Sequence, residues 1–152
     1  MTYRISLDSS IIISHLSGDI HQSDVLAAVE RLSQLKAEVF LPLICYAEIW
    51  AGVELLQGQE ERRRAAGALQ SVIQSSAILL VSDNVVVARD AARAQAEYRR
   101  RGGRREVLIP DFLIGANATY YSRQLLTTNP RDFLKFFPRL KVLTPKTFLA
   151  EA

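Results

Sequence analysis

The sequence contains few of the residues from which disulfide frameworks and zinc sites are built. Its 152 residues include one cysteine and two histidines. A lone cysteine cannot form an internal disulfide, and the chain has no Cys/His cluster with the spacing of a zinc site. With only seven glycines and five prolines, the chain also lacks a low-complexity composition. These absences exclude a disulfide-stapled scaffold, a zinc module and a repetitive linker.

The chain also lacks a long hydrophobic run. Its longest apolar stretch contains Pro42 and ends at Glu48, which is too short to cross a bilayer. The first residues do not show the charged and apolar segments of a signal peptide. Cys45 lies in that apolar stretch, far in sequence from either histidine, so we expect a buried structural thiol rather than a nucleophile. The sequence therefore predicts a soluble, reduced, cytoplasmic protein.

The composition is that of one globular domain. Hydrophobic residues make up 49% of the chain and charged residues 23%, both near the average for folded proteins. The length also fits one domain, which we place over residues 1–152 with a core of about 3–145. The formal net charge of +3 is too small to indicate a partner by itself.

Basic residues are nevertheless concentrated in two short segments. Arg62, Arg63 and Arg64 are consecutive, and a second cluster contains Arg99, Arg100, Arg101, Arg104 and Arg105. Arginine binds phosphate through two parallel hydrogen bonds and stacks on bases. Charge runs are also typical of solvated helix faces, so the clusters indicate either a phosphate-binding surface or such a face.

Strands and helices alternate along the chain. The hydrophobic pattern predicts strands at 3–8, 38–41, 77–81, 124–128 and 140–143, with a shorter apolar segment at 107–109. It predicts helices at 11–16, 23–35, 44–56, 59–75, 85–101 and 112–121, and a short helix from 130 to 136. This alternation is typical of an α/β fold. We expect a central, mostly parallel five-stranded sheet with helices on both faces.

Two local features of this pattern can be tested directly. The segment 77–81 is a continuous apolar run, which favours a strand buried on both faces. Ser9 or Ser10 is expected to cap the first helix, and Asp83 the helix that begins near residue 85.

Acidic and amide side chains follow the predicted strands. Asp8 ends the first strand, and Glu48 lies in the helix after the second. Asp111 follows the apolar segment at 107–109, and Asn129 and Asp132 follow the strand at 124–128. In a parallel α/β sheet, ligands bind beyond the carboxyl ends of the strands. The sequence therefore predicts that these side chains converge at one edge of the sheet.

Such a cluster favours a metal ion. Glu48 and Asp111 are embedded in apolar runs, where charges are rarely buried unless they are paired or bound to metal. Hard oxygen ligands select Mg²⁺ or Mn²⁺, and such an ion can activate water and stabilise charge on a phosphate. Taken singly, Asp111 could be only a helix cap and Asp8 only the end of a strand.

Several segments, in this order, resemble one protein family. They are ISLDSSII at 5–12, YAE at 46–48 with Gly52, residues 90–102, PDFLIGA at 110–116, LTTNPRDF at 126–133 and LKV at 140–142. Together they cover nearly the whole chain. The sequence resembles PIN domains, most closely the small VapC-type ribonuclease toxins of type II toxin–antitoxin systems.

The resemblance implies a metal-dependent endoribonuclease, a hydrolase that cuts RNA phosphodiester bonds by in-line attack of water. Asp8 and Asp111 would hold Mg²⁺, with Mn²⁺ as a substitute, and Glu48 would complete the acidic pocket. The family's fourth position falls on Asn129, which can ligate through its carbonyl but cannot act as a base. Asp132, three residues later, fits a further acidic position. The resemblance assigns no role to His15 or His21, for which we expect ordinary structural or surface positions.

The resemblance also implies partners. It predicts a homodimer, no membrane association, and a VapB-type antitoxin that lays an arm across the acidic groove. The helices at 46–56 and 59–75 would line that groove, with Trp50 and Leu55 or Leu56 as apolar anchors; burial of these residues in the core is the alternative. A second interpretation of the whole chain is a catalytically inactive PIN-like module that binds RNA through its arginines or acts as a scaffold.

Overall fold

The computed structural model describes residues 1–104 and 109–152. Its strands in these ranges are β1 (Arg4–Leu7), β2 (Glu38–Pro42), β3 (Ile78–Val81), β4 (Gln124–Leu126) and β5 (Lys141–Leu143). Its α-helices there are α1 (Ser9–Ser17), α2 (Gln22–Gln34), α3 (Leu43–Glu54), α4 (Gln59–Ser75), α5 (Val85–Arg100), α6 (Pro110–Tyr121) and α7 (Pro145–Glu151). A 3-10 turn covers Pro130–Asp132. The predicted alternation of strands and helices is confirmed.

The five strands form one sheet in the order β3-β2-β1-β4-β5, and every pairing is parallel. Successive residues of a strand point to opposite faces, and Ile5, Ser6 and Leu7 of β1 are all buried. Both faces of the central strand are therefore covered, as predicted. The strand order reverses between β1 and β4, so a crevice opens there beyond their carboxyl ends.

Strand β3 differs from the prediction. It pairs only with β2 and forms an edge of the sheet, and Leu79 and Leu80 are 49% and 40% exposed. Of its leucines and isoleucine, only Ile78 is buried. A continuous apolar run does not distinguish a central strand from an edge strand, because that difference depends on strand order.

The predicted N-caps of α1 and α5 are also wrong. The N-cap of α1 is Asp8, whose side chain accepts a hydrogen bond from the Ser9 amide at 2.8 Å. The N-cap of α5 is Asn84, which accepts from the Val87 amide at 2.9 Å. Asp83 instead accepts a hydrogen bond from Asn117 Nδ2 at 2.8 Å.

The segment before α6 changes the setting of Asp111. Residues 107 and 108 of the apolar segment lie outside the described residues, and Ile109 is the N-cap of α6. Asp111 is therefore the second residue of a helix. The short helix expected at 130–136 is reduced to the 3-10 turn, and α7 was not predicted.

Helix α6 fixes Asp111 firmly within the fold. Its residues Phe112, Ile114, Gly115, Ala116, Asn117 and Ala118 are all buried. A Cβ atom at Gly115 would lie 2.3 Å from the Phe137 ring, so the glycine allows the segment before β5 to pack directly on the helix. Within the described residues, no helix has the length and apolar character needed to cross a membrane.

Candidate active site at the carboxyl edge of the sheet

Asp8 lies in the crevice between β1 and β4. Its residue is only 6% exposed. Oδ1 accepts hydrogen bonds from the Ser9 amide at 2.8 Å and Ser9 Oγ at 3.4 Å. Oδ2 accepts from Ser10 Oγ at 3.0 Å and Thr127 Oγ1 at 2.8 Å. Donors from both sides of the crevice therefore fix the orientation of this carboxylate.

The same hydroxyls hold the loop that follows β4. Ser10 Oγ accepts a hydrogen bond from the Thr128 amide at 3.1 Å, and Thr127 Oγ1 accepts from the Asn129 amide at 3.0 Å. Sequence reasoning considered the two serines only as caps and did not identify this network. The available signal was the run of hydroxyl residues directly after both neighbouring strands.

Glu48 reaches the same crevice from the second turn of α3. Its Oε1 accepts a hydrogen bond from Ser9 Oγ at 3.3 Å. Burial raises the pKa of Glu48, the negative charge of Asp8 raises it further, and the hydrogen bond from Ser9 partly opposes both. The structure therefore brings together Asp8 and Glu48, as the sequence predicted.

Asp111 approaches from the first turn of α6. Burial, followed by the charges of Asp132, Asp8 and Glu48, raises the pKa of Asp111 from 3.8 to about 6. A helix N-terminus favours a negative charge, but here desolvation and three like charges outweigh it. The four carboxylates thus share one electrostatic environment.

Asp132 and Asn129 occupy different positions around Asp111. Asp132 ends the 3-10 turn, and it lines one cleft together with Asp111. Among the neighbouring charges, it has the largest effect on the pKa of Asp111. Asn129 is exposed, and its side chain does not cap the 3-10 turn that it precedes. Asp132 therefore acts on Asp111 through its charge, while Asn129 is tied to Thr127 through its backbone amide.

The remaining candidate groups stay outside this cluster of carboxylates. Cys45 is buried, as expected, and burial followed by the charge of Asp8 raises the pKa of its thiol, which keeps the sulfur protonated. His21 is exposed at the start of α2. His15 is half-buried in α1, and its Nδ1 has no hydrogen-bond partner within the described residues.

The arginines of the first cluster are engaged locally. Arg62 donates to the carbonyl oxygens of Leu56 and Gln57 at 2.7 and 3.1 Å, which ties α4 to the loop that follows α3. Arg63 and Arg64 form exposed ion pairs with Glu60. This pattern favours a solvated helix face for that cluster.

The arginines of the second cluster differ in their exposure and contacts. Arg99 and Arg100 are exposed, whereas Arg101 forms an ion pair with Glu97 at 2.8 Å. Its guanidinium also lies 5.8 Å from the centre of the Phe136 ring. Arg105 is outside the described residues.

The predicted anchors on α3 differ in exposure. Trp50 is half-buried, with its ring centre 6.0 Å from that of Tyr46. Leu56 is also half-buried, but Leu55 is 82% exposed. Of these three residues, Leu55 is therefore the one most available to a partner.

The acidic cluster has the donor chemistry of an Mg²⁺ or Mn²⁺ site, since all four side chains offer carboxylate oxygens. Within the described residues, however, no three Asp, Glu, His or Cys side chains are close enough to form a ready metal site. Repulsion between the carboxylates favours this separation of their side chains. The residues fit an ion that retains several water ligands, as Mg²⁺ does, with Asp8 and Asp111 as the candidate protein ligands.

Comparison with known proteins identifies the class to which this fold and site belong. Residues 5–136 match the family model of the PIN domain, and the chain belongs to the PIN-domain family. No curated protein matches the chain significantly in sequence.

Solved structures extend the comparison. VapBC2 from Rickettsia felis, bound to a promoter DNA fragment, is similar at a TM-score of 0.76 and 17% identity, covering 93% of this chain and 98% of that one. FitAcB from Neisseria gonorrhoeae gives 0.72 and 25%, with coverage of 93% and 98%. VapBC-1 from nontypeable Haemophilus influenzae gives 0.72 and 18%, with coverage of 94% and 98%. The predicted PIN domain is confirmed, and these toxin–antitoxin structures share its fold.

Proposed function

We propose that this chain is a metal-dependent endoribonuclease and the toxin of a toxin–antitoxin pair. The observation that carries the proposal is the convergence of Asp8, Glu48, Asp111 and Asp132 at the crevice between β1 and β4. A carboxylate cluster of this kind suits phosphodiester hydrolysis with a divalent ion. The similarity to VapBC complexes supports the toxin assignment.

In this proposal, each acid has a distinct task. Asp8 and Asp111 would hold Mg²⁺, which when bound supplies an activated water and neutralises charge on the scissile phosphate. The donors from Ser9, Ser10 and Thr127 keep the Asp8 carboxylate in one orientation.

Proton transfer falls to the other two acids. Glu48 or Asp132 accepts a proton from the attacking water, and the raised pKa of Glu48 makes it a better base near neutral pH. The oxygen–phosphorus bond opposite the attacking water breaks, and the leaving oxygen takes its proton from solvent. A neutral amide at 129 cannot accept that proton.

We also propose two protein partners. A VapB-type antitoxin would cover the acidic crevice, with exposed Leu55 at the end of α3 as an apolar contact. A second copy of the chain would cover the edge strand β3 and the start of α5, where Leu79, Leu80, Val85 and Val86 are 40–73% exposed. Exposed apolar patches of this type mark interaction surfaces.

The test is cleavage of RNA by purified protein with Mg²⁺ or Mn²⁺. Cleavage should require the ion, stop on addition of EDTA and fall by about 10²-fold in Glu48→Gln, as expected for loss of a positioned acid–base group. Glu54→Gln, on the same helix and with no proposed catalytic role, is the matched control and should retain activity. Binding of RNA without ion-dependent cleavage would favour the inactive module instead.

A further inference from the structure

A cleft of about 690 Å³ lies between α5, α6 and the segment that precedes β5. Its volume is within the range of cavities that hold small organic ligands. Tyr120, which lines it, follows Asp111 by nine residues in α6, a distance of about 14 Å along the helix axis. The cleft is therefore separate from the acidic crevice, which Asp111 enters from the first turn of the same helix.

Two of the arginines that line this cleft have no acidic partner. Arg93 is neutralised at 2.9 Å by Asp90, which also lines the cleft, and at 3.5 Å by Glu97. Within the part of the chain that the structure describes, Arg123 and Arg139 form no ion pair, and both are exposed. The cleft therefore holds two positive charges that are available to an anion.

The backbone fixes the position of Arg123. Its φ of 61° lies in the left-handed region, which residues other than glycine rarely adopt. Its amide donates to the Ala118 carbonyl at 2.8 Å, and its carbonyl accepts from the Lys141 amide at 2.9 Å. A cation is favoured at the C-terminal end of a helix, so the end of α6 explains this arginine without a ligand.

Arg139 belongs to a different segment, whose backbone is also fixed. The Phe137 carbonyl accepts a hydrogen bond from the Leu140 amide at 3.0 Å, which closes a turn around Arg139. Arg93 Nη2 donates to the Phe136 carbonyl at 2.9 Å and ties this segment to α5. The end of α6 does not explain Arg139. The presence of both arginines in one cleft is therefore the observation that points to an anionic ligand.

The cleft also has an aromatic wall. Tyr120 is 51% exposed, and its ring packs against that of Tyr121 at a centre-to-centre distance of 5.0 Å. The buried Phe137 lines the cleft as well. Aromatic side chains stack on bases, and arginine binds phosphate through two parallel hydrogen bonds. An exposed tyrosine beside two arginines therefore suits a flat ring that carries a phosphate.

The number of available charges favours one kind of phosphate. A phosphate monoester carries a charge of about −2 near neutral pH, whereas each phosphodiester within an RNA chain carries a single charge. Two guanidinium groups without acidic partners match the monoester.

We infer that this cleft binds a nucleotide through its terminal phosphate. Arg123 and Arg139 hold the phosphate monoester, and Tyr120 contacts the base. A free nucleoside monophosphate and the phosphorylated end of an RNA present this same chemistry. The inference is independent of the proposed ribonuclease activity, and its test contains no cleavage step.

The first test is calorimetric titration of the full chain with adenosine 5′-monophosphate in EDTA, which keeps divalent ions out of the acidic crevice. Arg123→Gln/Arg139→Gln should weaken binding by roughly tenfold or more, since it removes two charged hydrogen-bond donors. The matched control Arg63→Gln/Arg64→Gln removes the same charge from the solvated face of α4 and should change the affinity much less. Melting curves check folding, and Arg139→Gln alone should still weaken binding if the change at position 123 disturbs its turn.

The second test separates the base from the phosphate. Ribose 5-phosphate should bind more weakly than adenosine 5′-monophosphate because it lacks the base, and adenosine should bind more weakly because it lacks the charge. Tyr120→Leu should weaken binding of adenosine 5′-monophosphate and leave that of ribose 5-phosphate unchanged.

The third test distinguishes the two sources of the phosphate. A short oligoribonucleotide with either a 5′ phosphate or a 5′ hydroxyl competes with adenosine 5′-monophosphate in EDTA. Displacement by the phosphorylated form alone assigns the end of an RNA, and displacement by neither assigns the free nucleotide.

Three results would overturn the inference. They are no binding of adenosine 5′-monophosphate to the wild type, the same loss of affinity in Arg123→Gln/Arg139→Gln and its control, and equal displacement by the two oligoribonucleotides. Failure of the proposed function is a different result, in which the wild type binds adenosine 5′-monophosphate but does not cleave RNA when Mg²⁺ is added.

Discussion

The two sides of the acidic cluster are held in different ways. Asp8 is buried and accepts hydrogen bonds from four donors contributed by Ser9, Ser10 and Thr127. Asp111 is half-buried, and the negative charges of Asp132, Asp8 and Glu48 repel it, that of Asp132 most strongly. One side is therefore oriented by the fold alone, whereas the other gains most from a cation. In the proposed site, a bound cation would therefore act mainly by relieving the repulsion around Asp111.

The largest expected effect on cleavage comes from changing Asp8, the carboxylate that the fold holds in one orientation. Asp8→Asn should lower single-turnover RNA cleavage by about 10³-fold, since it removes the charge that the cation requires. The fold should survive, because an amide oxygen can still accept some of the four hydrogen bonds. Thermal melting of the variant provides the control. Full activity in Asp8→Asn would contradict the assignment of this side.

The next effect separates Asp132 from Asn129. Asp132→Asn should lower cleavage by about 10²-fold, at the low end for loss of a positioned acid–base group. Asn129→Ala should cost less, because its side chain carries no charge and caps no turn. Single-turnover rates of the two variants on one RNA provide the measurement. Loss of cleavage in Asn129→Ala together with full cleavage in Asp132→Asn would reverse the two roles.

A smaller effect concerns metal and stability. A cation that binds only the folded chain should raise its stability by about 2.7 kcal/mol at a concentration one hundred times Kd. Asp111→Asn should reduce this gain and leave the metal-free melting temperature equal or higher, since it removes a repelled charge. Equal shifts by Mg²⁺ in wild type and Asp111→Asn would show that the ion binds elsewhere.

The smallest effect is a pH dependence of the metal-free protein. The pKa of Asp111 is raised in the folded chain from 3.8 to about 6, so the folded state binds this proton more tightly than the unfolded state. The stability that this proton confers is present at low pH and is lost as pH rises through about 6. The difference in melting temperature between Asp111→Asn and wild type should therefore grow from pH 5 to pH 7. A difference independent of pH would contradict the burial of this carboxyl.

Much of this architecture follows from local sequence. The bounds of α4 are as predicted, because a clear helical period runs from Gln59 to Ser75. The edge position of β3 could not be predicted in the same way, since Leu79 and Leu80 look alike in an edge strand and a central one. Strand order is a property of the whole chain.

The candidate site also has parts that the sequence could predict and parts that it could not. Asp8, Glu48 and Asp111 stand out as acids near strand ends or within apolar runs, and the structure brings them to one edge. The donors to Asp8 were missed because Ser10 and Thr127 meet only after β1 and β4 pair.

The hydrogen bond between Asp8 and Thr127 joins residues 119 positions apart in the chain. During synthesis on the ribosome, Asp8 is made early and Thr127 is made late. A nascent chain that has not yet reached β4 thus has neither the neighbouring strand nor the hydroxyl that orients the first acid. The orientation of the first acid is therefore a late event in synthesis relative to the acid itself, because it waits for the strand that carries Thr127.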